Sequence, residues 1–152
     1  MSDCISELII PVNQVIGNIQ DNYESKIEEI ELWQNKLLRQ TKKESTIKQD
    51  SCEICNSKDK VYCELHHVAG RKFDFRTITA CILCHRWLSD RQKIWDARWI
   101  NNSDDQNLKT AFFYMGLYDI LILKSKKTCC TVYEDIAYSY IEIISRHLKE
   151  AK

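Results

Sequence analysis

Cys52-Glu53-Ile54-Cys55 and, 25 residues further on, Cys81-Ile82-Leu83-Cys84-His85 are the two stretches on which the fold turns. Two thiols at that spacing can grip one side of a tetrahedral zinc ion, and a second pair closes the other side. Four sulfurs leave no position open for water, so a zinc site formed by Cys52, Cys55, Cys81 and Cys84 would be structural. It would fold a segment too small to hold itself together by burial alone.

The residues between the pairs carry the remaining unusual chemistry. Val61, Cys63 and Leu65 alternate as one face of a strand, which makes Cys63 a core residue. Glu64-Leu65-His66-His67 ends that strand, and Gly70 supplies a turn. His85 follows Cys84 where the second knuckle should pass into a helix beginning Arg86-Trp87-Leu88. Three of the four histidines therefore fall inside this one segment. Neighbouring residues on a straight strand point to opposite faces, so His66 and His67 can serve one site only if the strand bends or ends there. Without such a site, the three would be strand-end and helix-start residues satisfying local hydrogen bonds.

A CxxC, a Glu-x-His-His ending a strand, and a second CxxC followed directly by His together resemble the HNH endonuclease family. The resemblance covers about 40 of the 152 residues. It implies a ββα-metal fold with a Cys4 zinc, and hydrolysis of DNA phosphodiester bonds to a 5′ phosphate and a 3′ hydroxyl. His67 would be the general base; His66 and His85 would hold a second, catalytic divalent cation, with Asp90 as a further candidate ligand. Imidazole ligands suit Mn2+, Ni2+ or Zn2+, whereas Mg2+ prefers oxygen. Two positions depart from the family pattern. Arg76 stands where the family has its middle Asn, which usually steadies the loop carrying the base. Ser89 stands where many relatives have another helix His.

Net charge over the chain is zero, so no global charge points to a polyanionic partner. Residues 52–98, however, hold nine basic against six acidic residues. Arg71, Lys72, Arg76, Arg86 and Arg91 are candidate phosphate contacts, which set position rather than sequence. Trp87, Trp95 and Trp99 follow at roughly helical spacing and read as core before base-stacking groups.

The flanks read as helix. Residues 12–43, opened by Pro11 in the first turn, carry Ile16, Ile19, Tyr23, Ile27, Ile30, Trp33 and Leu37 at three- and four-residue steps. The opposite face is charged, so the stripe must pack on the C-terminal part or on a second copy, which makes a homodimer through this helix an expectation. Residues 41–51 read as a polar linker. From residue 103 onward, Ser103-Asp104-Asp105-Gln106 and Thr131-Val132-Tyr133-Glu134 match capping boxes and predict two helices, with a break at Lys124-Ser125-Lys126-Lys127.

One Pro and three Gly favour helices over a strand-rich sandwich. Met1-Ser2-Asp3 begins no secretory pattern, and the longest apolar stretch, residues 111–123, contains Asp119. The expectation is an intracellular, cytoplasmic protein without a membrane span, in which the eight cysteines are ligands or buried thiols. Cys4, Cys129 and Cys130 lack partners at ligand spacing and read as buried or idle thiols. The sequence thus predicts an α+β protein, mostly helical. Its parts would be an N-terminal helix over 1–45, a metal finger over 52–100 and a helical pair over 103–152, together one compact domain. The expected function is a metal-dependent endonuclease on double-stranded DNA; the alternative is a non-catalytic zinc module that binds nucleic acid.

Overall fold

The computed structural model describes residues 3–152, with the side chains of residues 3–16, 18 and 60 outside the description. The chain is α+β and mostly helical, and it divides after Lys36 into two compact units. The first unit is helix α1 (Asp3–Leu38), whose last two residues already belong to the second. α1 starts nine residues before the expected position 12, so Pro11 lies inside it rather than in its first turn. The missing Pro11 N–H costs one hydrogen bond but does not forbid helix on either side. Along the expected apolar stripe, Ile30 and Leu37 are buried whereas Ile19 and Tyr23 are exposed; the Ile16 side chain lies outside the described residues.

The second unit begins where α1 ends. Residues 41–46 are not a free linker. Thr41 and Glu44 exchange side-chain to backbone hydrogen bonds of 2.7 and 3.2 Å, a reciprocal cap on the short turn Glu44–Thr46. Just before it, the Gln40 amide donates to the Thr77 carbonyl (3.0 Å) and accepts from the Thr77 N–H (2.8 Å). The Thr77 hydroxyl donates to the Ser45 carbonyl at 2.6 Å. The free edge of the coming sheet is therefore sealed by side chains.

Strands β1 (Cys63–His67) and β2 (Thr77–Cys81) pair antiparallel, with Cys63 opposite Cys81, His66 opposite Ile78 and His67 opposite Thr77. Helix α2 (Ile82–Gln92) leaves β2 without a loop and packs back on both strands. Two strands and one helix are too little to form a core of their own. The apolar base comes from helix α3 (Gln106–Thr128): Phe112 is fully buried, stacked on Trp95 with ring centroids 5.9 Å apart and tilted on Phe73 at 4.7 Å. Trp95 donates to Asp119 (2.8 Å) and Trp99 to the Ala69 carbonyl (3.0 Å); both, like Trp87, are half-buried rather than fully in the core as expected.

Three C-terminal helices form where two were expected. α3 runs straight through residues 124–127, because lysines in a last turn complement the helix dipole. It stops only at Cys129, in the left-handed conformation (φ 54°). Its cap is Asp105, which accepts from the N–H groups of Asn107 and Leu108, rather than Ser103. The remainder splits at Tyr140 into α4 (Val132–Ser139) and α5 (Ile141–Glu150). Thr131 makes no side-chain cap, and Glu134 instead accepts from the Tyr138 hydroxyl. Among the described residues no helix is long and apolar enough to cross a membrane.

Gly116 on α3 marks the tightest contact between the helices and the finger. A Cβ there would lie 2.0 Å from the Val68 carbonyl oxygen and 2.7 Å from the Val68 Cγ1. The atoms a Cβ would meet first are backbone, so relief would need α3 or the chain after His67 to shift. Gly116→Ala is expected to lower stability by at least ~1–3 kcal/mol, the usual range for overpacking, read as a reduced urea midpoint.

Candidate functional site

The first knuckle is a tight turn closed on itself. The Cys52 N–H donates to the Ser57 carbonyl (2.8 Å), the Asn56 N–H to the Cys52 carbonyl (2.9 Å), and Asn56 takes a positive φ of 61°. Glu53 ties this turn to β2: its N–H donates to the Thr79 carbonyl (2.9 Å), and its carboxylate accepts the Thr79 N–H (2.5 Å). The second knuckle needs no loop, since Cys81 is both the end of β2 and the cap of α2, and Cys84 lies in the first helical turn.

The four sulfurs lie within 4.8 Å of one another, the only such group of three or more His, Cys, Asp or Glu side chains among the described residues. Cys52 and Cys84 are buried, Cys55 and Cys81 partly so. The hydrogen bond from Cys84 draws the Cys52 thiol down to about 4, against the effect of its burial. The same partnership pushes Cys84 up, and burial raises Cys55. Left to themselves Cys55 and Cys84 therefore resist becoming thiolates. A cation at their centre reverses that preference, and a closed four-sulfur set suits zinc. Cys63 stands apart, 1% exposed, its thiol 3.4 Å from the Asp59 carbonyl and raised by burial; it is core, as expected. Cys129 and Cys130 join no cluster, and the Cys4 side chain lies outside the described residues.

The histidines lie between and just after the cysteine pairs in sequence and gather on the β1–α2 seam. His66 points inward from β1 and is 3% exposed. Its ring meets that of His85, from the start of α2, edge to face at 5.2 Å between centroids. Burial first, then the neighbouring His85 and His67, lowers His66 to about 3, which keeps it neutral. His67, half-exposed at the last rung of the sheet, is also lowered, by burial and then by the Arg71 charge. A neutral imidazole can accept a proton or a metal ion.

Two residues not singled out in the sequence complete this seam. Glu64 accepts from or faces His85 Nδ1 at 3.1 Å. Gln92, buried at the last turn of α2, places its amide nitrogen 3.0 Å from the His67 carbonyl, 3.3 Å from that of Val68 and 3.4 Å from His66 Nε2. Strand alternation puts Glu64 on the same face as His66, and Gln92 follows His85 by two helical turns, so both were within reach of periodicity.

The other candidates are placed differently. Asp90 is exposed and paired with Lys93 at 2.8 Å; it does not join His66 and His85 in a shared cluster. Arg76 is turned inward, gripping Asp74 through Nε and one Nη of its guanidinium and lying 3.7 Å over the Phe113 ring. Arg91 pairs with buried Asp119 at 3.2 Å. Lys72 is exposed and donates to the Ile100 carbonyl at 2.8 Å, while Arg71 and Arg86 are exposed on the finger.

Comparison with protein-family models, with curated proteins and with solved structures finds no match. The sulfur cluster carries its own test. Metal analysis of the purified chain is expected to return one zinc per molecule. Cys84→Ser should abolish that stoichiometry and unfold the second unit, read by loss of near-ultraviolet circular dichroism; a wild-type chain that is folded and metal-free would contradict this.

Proposed function

We propose that this protein is a metal-dependent DNA endonuclease of the HNH type, in which a Cys4 zinc holds the finger and the histidine seam cuts the phosphodiester bond. The observation that carries the reading is the meeting of His66 and His85, brought ring against ring from a strand and a helix, with His67 adjacent and more exposed. A neutral imidazole buried as deeply as His66 serves packing poorly, since an apolar side chain would fill the same space without desolvating polar atoms.

Each side chain then has a task. His67, kept neutral by its surroundings, takes the proton from the attacking water. His66 and His85 are the donors for a divalent cation, which when bound would supply Lewis acidity at the scissile phosphate. Glu64 engages Nδ1 of His85 and thereby leaves Nε2 to face the ion, the usual arrangement of a carboxylate behind a ligating imidazole. His66 would offer such an ion Nε2, which the Gln92 amide faces at 3.4 Å, the longest of that amide's three contacts. Arg71 and Arg86 are the exposed cations nearest to this seam in sequence and hold the DNA backbone.

The alternative, a zinc module that binds nucleic acid without cutting it, draws on the depth of His66 and on the inward turn of Arg76. Supercoiled plasmid separates the two. With Mg2+ or Mn2+ the wild type should nick it, and His67→Ala should be slower by ~10²–10⁴-fold with DNA affinity retained. Equal binding with intact plasmid from both proteins would leave the binding module. Glu64→Gln should raise the divalent concentration needed for half-maximal nicking by ~10-fold or more, the lower end for a residue behind a metal ligand.

A further inference from the structure

We propose that Gln92 is the positioning residue of the histidine seam, its side-chain amide fixing the bend at the end of β1 and so the placement of His66 relative to His67. The catalytic meaning of this role rests on the nuclease reading above; the geometry does not.

In an extended strand successive carbonyls point to opposite sides. The carbonyls of His67 and Val68 nevertheless both reach the one Gln92 nitrogen, at 3.0 and 3.3 Å. The chain has therefore left strand geometry between these two residues, which is the bend that two neighbouring imidazoles need to serve one site. The turn beyond is consistent: the Gly70 N–H donates to the His67 carbonyl at 3.1 Å, and Gly70 has a φ of 91°. From the other side, α3 closes on the Val68 carbonyl at Gly116. Only the nitrogen end of the amide can satisfy two carbonyls, so its orientation is fixed by its partners.

A carboxamide nitrogen has two protons, and here it faces three acceptors. The third is His66 Nε2 at 3.4 Å. A donor facing Nε2 selects the tautomer with its lone pair there and its proton on Nδ1. An ion taking that lone pair displaces the longest contact alone and leaves two protons for two carbonyls. Gln92 thus holds the bend with and without the ion. It does so from a rigid strut, since α2 begins at the sulfur cluster and ends at Gln92 itself.

Gln92→Leu and Gln92→Glu, close in size and without the amide donor, test this in the zinc-loaded full-length chain. Plasmid nicking under single-turnover conditions should fall by ~10–100-fold in rate or in Mn2+ affinity, with DNA affinity and zinc content unchanged. Independently, long-range 1H–15N spectra taken without added Mn2+ should place the His66 proton on Nδ1 in the wild type and move it toward Nε2 in both variants. Nicking at the wild-type rate by both variants, or a wild-type His66 already protonated on Nε2, overturns the proposal. If the wild type cuts no DNA, the nuclease reading falls, and the tautomer measurement still decides the role of Gln92.

Discussion

Convergence of two thiol pairs on one point is the constraint from which the second unit follows. Cys81 ends β2 and starts α2, so bringing it to the Cys52–Cys55 turn fixes a strand end and a helix start together. Glu53 locks the same turn onto Thr79, two residues earlier on β2. With β2 and the start of α2 set, β1 has one register open to it, and that register carries His66 under the helix. Sulfur geometry therefore dictates where the imidazoles go.

A finger of this size still needs an apolar base, and α3 provides it. Phe112, Trp95 and Phe73 form one aromatic stack, and Trp99 covers Gly70, where a Cβ would lie 2.7 Å from the indole nitrogen. The finger and the C-terminal helices are consequently one packed body rather than two modules in series. Buried Asp119 belongs to the same joint: burial raises its carboxyl, and Trp95 and Arg91 answer that penalty with a hydrogen bond and an ion pair.

What the sequence disclosed tracks how local the deciding chemistry is. Cysteine spacing names its own partners, and the helix after Cys84 was legible from the knuckle itself; alternation found the strand only from Cys63 on, since Val61, expected on the same face, lies in a short helical turn before it and is 82% exposed. Helix ends were not. The cap of α3 is Asp105 rather than Ser103, and α4 and α5 part at Tyr140, buried against Tyr114, a contact no local signal contains. Residues 41–46 read as linker because their composition is polar, yet the Ser45 carbonyl accepts from the Thr77 hydroxyl, more than thirty residues away, and Gln40 just before them holds the Thr77 backbone. Glu64 stood inside the quoted motif and Gln92 on the helix face of His85 and Leu88; alternation and helical period carried both signals, and only a polar residue at a core position distinguished Gln92 from its neighbours.

The charge count of the finger also changes meaning once it is folded. Arg76, Arg98 and Lys93 are each joined to an aspartate two or three residues away, and Arg91 to Asp119. Three of these pairs remove one charge of each sign from the segment, so a basic excess survives, and of the candidate phosphate contacts Arg71, Lys72 and Arg86 stand outside these pairs. Arg76 in particular serves the interior: its N–H and guanidinium both bind Asp74, and its carbonyl accepts from Val68. It therefore braces the same stretch of backbone that Gln92 grips from α2 and Gly116 crowds from α3. Backbone held from three directions by partners far apart in sequence resists displacement in a way that a turn held only by its own residues does not, and such restraint is what a site built on two adjacent side chains requires.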